Sequence, residues 1–219
     1  MDRLIQLWPE LLKAALETLY MTTFAFVLGG VLGLAIGVIL YVTRPGGLLE
    51  NRTVAFIANL GVNFFRPIPF VLFVAVAQPF ARLVVGIGIG TTAGAFIIGI
   101  AAAFAIGRIV EQHLVSVPSG VIEAARAMGA GPWRILFTVA IPESLGPLIL
   151  GYTFIVVALI DMTAMAGLIG GGGLGAFAQV YGFRQFEPVV MWTAIVLIVV
   201  FVHFVQMLGT RLARKVMRR

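Results

Sequence analysis

Residues 123–142 read EAARAMGAGPWRILFTVAIP, and the fold turns on how this stretch is read. It is a polar-tolerant island of about twenty residues between apolar runs long enough to cross a bilayer. Glu123, Ala124, Ala125 and Met128 fall at helical spacing, and the paired alanines leave a surface that another protein's backbone can approach closely. Gly129, Ala130 and Gly131 end that helix, and Pro132 suits the first turn of a second one. The expectation is a knob of two short helices at a membrane face, with Gly129 and Pro142 setting its bends. Spacing alone would also be met by a plain connecting loop.

Composition says what surrounds the island. The chain is 61% hydrophobic and 11% charged, with a mean hydropathy of +1.08, whereas a soluble domain carries roughly a quarter charged residues. At 219 residues it is a single integral membrane domain, 1–219, of several spans. The net charge of +6 does not signal nucleic acid. Five of the fifteen basic residues (Arg211, Arg214, Lys215, Arg218, Arg219) fall in the last nine positions, where they read as an anchor on the lipid bilayer. Without cysteine there are no disulfides, thiolate metal sites or cysteine nucleophiles.

Towards the N-terminus, the first seventeen residues alternate with helical period and predict an interfacial helix leading into a span. Spans are expected over about 19–42, 54–80 and 89–109 before the island, and over about 145–169 and 189–208 after it. Gly29, Gly33 and Gly37 give small-xxx-small spacing, which predicts close helix packing. Arg66-Pro67-Ile68-Pro69 interrupts the second span; two prolines around one residue force the backbone to bend or open, tolerable in a membrane only against protein or a cavity. With the N-terminus outside, the inner segments hold ten basic residues (Arg44, Arg52, Arg108, Arg126, Arg134 and the five of the tail) and the outer ones four (Arg3, Lys13, Arg82, Arg184). That asymmetry chooses N-out/C-in and puts the island in the cytoplasm.

Asp161 is the only acid inside an expected span, so it either contacts a solute or balances Arg66, and the pairing is favoured because a lone charge there is expensive. Met162 and Met165 suit a thioether-lined gate or ordinary core filling. Gly170, Gly172 and Gly175 satisfy G-x-G-x-x-G but follow a span, not a strand; a tight or flexible turn, or a plain loop, fits better. His113 and His203 have no partner at metal-ligand spacing, and Glu111 and Glu143 read as solvated interface charges. No G-x-x-x-x-G-K-[ST] loop is present, so the chain has no phosphate-cradling site of its own.

Glu123-Ala124-Ala125, three residues, Gly129, nine residues, Val139, one residue and Ile141-Pro142 resemble the E-A-A-x3-G-x9-I-x-L-P loop of binding-protein-dependent ABC importer permeases. Val139 and Ile141 depart from it and keep branched apolar side chains. Tyr41-Val42-Thr43-Arg44-Pro45-Gly46, Phe65-Arg66-Pro67-Ile68-Pro69-Phe70, and Ala164-Met165-Ala166-Gly167 through Gly171-Gly172-Gly173-Leu174-Gly175 resemble the methionine-uptake branch. At Asp161-Met162 that branch usually reads Gly-Tyr.

The resemblance implies an all-α integral membrane protein of five transmembrane helices in the type I ABC importer permease fold, working as a homodimer in the bacterial plasma (inner) membrane. It implies a coupling loop over about 118–142 that docks two ABC ATPase subunits, and an extracytoplasmic substrate-binding protein. It implies no cofactor in this chain, ATP and Mg being bound by the partner ATPase, and methionine as solute. Arg66, Pro67, Pro69, Asp161, Met162 and Met165 are the pathway or gate candidates. Another small polar solute, or a proton-coupled secondary transporter using Asp161, remains open as an alternative.

Overall fold

The computed structural model describes residues 2–217, and the regular structure among them is helical. A short helix α1 (Asp2–Gln6) precedes α2 (Trp8–Thr43), which has Pro9 in its first turn, where a missing N–H leaves no bond unmade. The amphipathic leader is therefore not a separate interfacial helix, because from Trp8 onward it is the first part of α2. Leu7, Leu11 and Ala14 are buried against Leu174, Phe177, Val190 and Ala194, while Trp8, Leu12 and Leu16 stay exposed, so one edge of the apolar stripe is used inside the protein and the other faces outwards.

Asn51 caps α3 (Arg52–Phe65), its side-chain oxygen accepting from the Val54 N–H at 3.1 Å. Helix α4 (Phe70–Val85) leaves α3 at 113°. Pro67 and Pro69 have no N–H, and their rings clash with a continuing helical turn, so the chain opens between Arg66 and Pro69. Aromatic packing pins the bend: Phe65 stacks on Phe104 at 4.6 Å between centroids and meets Phe73 edge-on at 6.4 Å. The stretch 54–80 is thus a broken pair of helices.

There follow α5 (Thr91–Val115), α6 (Ser119–Ala127), α7 (Pro132–Ile135), a π-helical segment (Leu136–Ala140) and α8 (Ile141–Leu168). The chain ends with α9 (Gly173–Phe177), a second π segment (Ala178–Phe183) and α10 (Pro188–Met217). From Pro132 to Leu168 the helix is continuous over 37 residues. The second helix of the knob is therefore not short and free; it is the start of the span expected over 145–169. Nor does Pro142 break the helix. The Ile141 N–H reaches back to Leu136 O, and this wider π turn takes up a ring that would otherwise strike the carbonyl four residues before it.

Helix α5 lies at the centre: 67% of its most apolar window is buried by the chain, against 11% for α10. It packs most extensively on α2. A Cβ at Gly33 would lie 2.5 Å from the Ile106 side chain, and one at Gly37 would lie 2.5 Å from Val110 Cβ and 2.6 Å from Gly107 O. The spacing of Gly29, Gly33 and Gly37 thus lets two backbones meet with nothing between them. On the outside of α10, Trp192, Val196, Val200 and Phe204 are exposed, a face whose fitting solvent is hydrocarbon.

Helices α2 and α5 run parallel, with Gly29, Gly33 and Gly37 meeting Gly99, Ile106 and Val110 in that order, and the chain returns between them through α3 and α4, so the bundle has two distinct ends. At one, Leu49 N–H bonds Val42 O, Arg126 Nη2 donates to Gly47 O and Gly146 abuts Met217. Arg44, Arg52, Arg126 and Arg134 collect at this basic end together with the end of α10, which carries Arg211, Arg214 and Lys215. Arg218 and Arg219, also counted in the tail anchor, lie outside the described residues. At the opposite end Arg3 donates to Gln185 at 2.9 Å, and Leu7 packs with Leu174 and Val190.

Candidate functional site

The knob is built by a helix stop. Pro118 opens α6, which ends in a Schellman motif: Gly129 N–H bonds Arg126 O at 2.9 Å and Ala130 N–H bonds Ala125 O at 3.1 Å. That closure needs a left-handed residue, and Gly129 supplies it at φ +80°. Gly131 and Pro132 then start the long helix at once. Glu123, Ala124 and Met128 face outwards, and Met128 is 81% exposed. Ala125 does not: it is 3% exposed and packed on this chain, so its small size serves α6's own seat and only Ala124 is free to meet another backbone.

Trp133, 57% exposed, stacks on Phe137 at 6.2 Å between ring centroids. Sequence reasoning passed over both, although a tryptophan in a polar island was the available signal. Glu123 has no ion-pair partner within 4.0 Å among the described residues and borders a cavity of about 230 Å³ with Tyr41, Arg44, Gly47 and Arg126. Arg126 ties α6 to the turn after α2 by donating to Gly47 O at 3.4 Å. The knob is thus braced on the bundle.

The expected pair of Arg66 and Asp161 does not form. Arg66 is exposed at the bend between α3 and α4, flanked by exposed Pro67 and by Pro69, which caps α4. Asp161 lies with exposed Phe154 and Leu168 on an uncovered face of α8. These three recur every seven residues, so they line up on one side of the helix, and no ion pair within 4.0 Å joins Asp161 to Arg66 among the described residues. Met162, half-buried, lines a cavity of about 190 Å³ together with Arg66; Met165 is half-buried nearly a turn further on and does not line it.

A polar network stands at the edge of this cavity. Arg108 Nη1 donates to Glu111, and Arg108 Nη2 donates to Asn59 Oδ1 at 3.1 Å and Asn63 Oδ1 at 2.8 Å. Glu111 is consequently not a solvated charge: its side chain is 14% exposed and held by Arg108. The sequence hid the network because Asn59 and Asn63 are 49 and 45 residues away from Arg108.

At the opposite end the glycine run is a tight turn. The Glu17 carboxylate accepts from Gly173 N–H and the Thr18 hydroxyl from Leu174 N–H, each at 2.8 Å. Gly172 and Gly173 hold φ near +79° and +78°, and a Cβ at Gly173 would lie 2.8 Å from Thr18 Oγ1. The turn is packed onto α2, and no described strand leads into it. Among the described residues no group of three His, Asp or Glu side chains is placed to hold a metal ion.

Apolar outer faces, a braced knob at one end and a charged cavity at a broken helix define a multi-pass helical membrane protein of the transporter kind. The chain belongs to the family described as the binding-protein-dependent transport system inner membrane component, which matches residues 33–218. It is 40% identical over 210 residues to the probable D-methionine transport system permease protein MetI of Pasteurella multocida, covering 96% of this chain and 97% of that one. The methionine import system permease protein MetP of Bacillus subtilis is 40% identical over 202 residues, 91% of this chain and 90% of that one. Among solved structures, a chain of the inward-facing MetNI methionine ABC transporter superposes with a TM-score of 0.93 at 39% identity, covering 96% of this chain and 98% of that one. The four long apolar helices, with the bent pair as a candidate fifth, belong to an inner-membrane permease subunit.

Proposed function

We propose that the chain is the permease of an ATP-driven importer that moves methionine inward. The observation that carries this reading is the likeness to methionine permeases along nearly the whole chain, loop and bend included. Two copies make the working unit. The uncovered face of α8 carries Asp161 between Phe154 and Leu168, and a carboxylate set there is poorly served by lipid but well served by a second copy or a watery path between the copies. The N-terminus is outside and the basic end is cytoplasmic, in keeping with the unequal distribution of Lys and Arg.

Two ATPase subunits, which bind the ATP and Mg, dock on the knobs of residues 118–142, and a substrate-binding protein delivers solute at the opposite end. The knob's exposed Ala124, Met128 and Trp133 make the contact, and its bracing by Arg126 carries the push into the helices. Because Pro132 starts an unbroken 37-residue helix, displacement at the knob moves α8 as one rod. ATP binding favours one arrangement of the two bundles and hydrolysis releases it, a shift between two populated states. Proteoliposomes holding the permease, its ATPase and its binding protein test this: methionine should accumulate only with ATP inside the cytoplasmic face. Accumulation driven by a pH gradient without the ATPase would overturn the reading in favour of a proton-coupled carrier.

A further inference from the structure

The cavity at the bend lies between Arg66, α5 and α8, and its volume is about 190 Å³. Ala105, Phe154, Ile155 and Met162 give it apolar walls, while Arg66, Arg108 and Gln112 add cationic and polar groups to its lining. Its two guanidinium groups differ in one respect. Arg108 is satisfied by Glu111, Asn59 and Asn63. Arg66 has neither a carboxylate within 4.0 Å nor a side-chain hydrogen bond among the described residues. A guanidinium does not lose its proton, and a charge at the bend of a membrane-embedded helix pair is unfavourable unless paired or hydrated. With Glu111 held by Arg108 and no ion pair between Asp161 and Arg66 within 4.0 Å, Arg66 has no bonded anion among the described residues.

We infer that this cavity is a solute site in which Arg66 binds the carboxylate of an α-amino acid while its side chain lies against Met162 and Phe154. The inference rests on the amino-acid importer reading and adds to it a stopping place within the helices and the group that holds the solute there. The planar fork of Arg66 matches a carboxylate in two parallel hydrogen bonds. The cavity is smaller than the ~300–1,000 Å³ typical of drug-sized pockets, which suits a small solute. A polarizable thioether and an aromatic ring make a wall on which an unbranched apolar chain packs well.

The test uses the permease–ATPase complex in nanodiscs without the binding protein, with radiolabelled L-methionine in equilibrium dialysis. Binding should be displaced by L-norleucine, which keeps the carboxylate, and at least about tenfold less well by L-methioninol, which lacks it. Arg66→Gln should weaken binding at least about tenfold and Arg66→Lys by less, the expected loss of charged hydrogen bonds. Ala158→Phe, which fills the cavity from another wall, should abolish binding in a complex that still purifies with its ATPase. Equal displacement by methioninol, or unchanged binding in Arg66→Gln, overturns the site. So does a result in which Asp161→Asn and Arg66→Gln break the dimer alike and leave binding intact, since Arg66 would then be neutralised by a second copy. ATP-driven import measured in parallel separates the two claims. Methionine import with Arg66-independent binding keeps the function and removes the site; no methionine import, with Arg66-dependent binding of a different amino acid, keeps the site and removes the methionine assignment.

Discussion

Helix α5 presents two unlike sides. Towards α2 it offers Gly99, Gly107 and Val110 to Leu28, Ile36 and Gly37, and a Cβ added at Gly107 would lie 2.6 Å from Ile36. Towards α8 and the bend it offers Ala105, Arg108 and Gln112 to an open cavity. The first side has no room to adjust, because the nearest atoms include backbone carbonyls that cannot rotate away. The second has space, charge and half-buried side chains. One helix therefore serves as frame on one side and borders a cavity on the other, the side on which the proposed solute site lies.

The sharpest break of this comparison comes from adding the same bulk to each side. Gly37→Val drives a branched side chain into Val110 and Gly107 O, and overpacking against backbone should cost about 3 kcal/mol, the upper end for such changes. Ala105→Val, facing the cavity, should cost less than about 1 kcal/mol. Thermal unfolding of the purified variants in one detergent reads the difference. Equal loss in the two would mean that the cavity side is packed as firmly as the seam.

The knob extends the contrast to a surface that holds nothing in this chain. Trp133→Ala removes an exposed ring, so the fold should keep its melting temperature, while ATPase docking should weaken by about 2 kcal/mol, or roughly 30-fold, if Trp133 is a central contact. Titration of the permease with labelled ATPase measures it. Gly129→Val acts differently, since it forces a branched residue to φ +80° with open space around it, for about 1–2 kcal/mol of backbone strain. That change should lower stability of the Schellman turn and docking together. A Trp133 variant that melts early, or a Gly129 variant that docks normally, would erase the distinction between contact and frame.

What the sequence could tell follows the same division. Local covalent features were legible: the glycine spacing of α2, the break at Pro67 and Pro69, and the stop at Gly129 each follow from the backbone preferences of one or two residues. Register between distant elements was not. Ala124 and Ala125 look alike in a string, and only the seating of α6 decides that Ala125 is buried. Pro142 looks like the end of a helix until the π turn before it makes room for its ring and the helix runs on. The Arg108 network depends on which helix faces meet, and helical periodicity does not carry that. The functional residues lay on both sides of this line. The loop was readable because its geometry is local, and the cavity was not because two helices and the bend between two others build it.

The smallest expected effect tests whether charge near the frame matters by its sign or by what it holds. Lys13 and Glu17 form an i,i+4 pair with N···O at 3.9 Å, and the Lys13 side chain is 78% exposed. Exposed pairs of that kind contribute about 0–1 kcal/mol, and solvent screening puts this one at the low end, so Lys13→Ala should leave the melting temperature nearly unchanged. Glu17 has a second task that Lys13 lacks, because its carboxylate accepts the Gly173 N–H and pins the turn onto α2. Glu17→Ala should therefore cost more than Lys13→Ala, by the difference between a screened surface pair and a part-buried charged hydrogen bond. Glu17→Gln, which keeps an acceptor oxygen and loses the charge, should fall close to Lys13→Ala. If Gln behaved like Ala instead, the negative charge itself, and not merely an acceptor oxygen, would be what anchors the glycine turn.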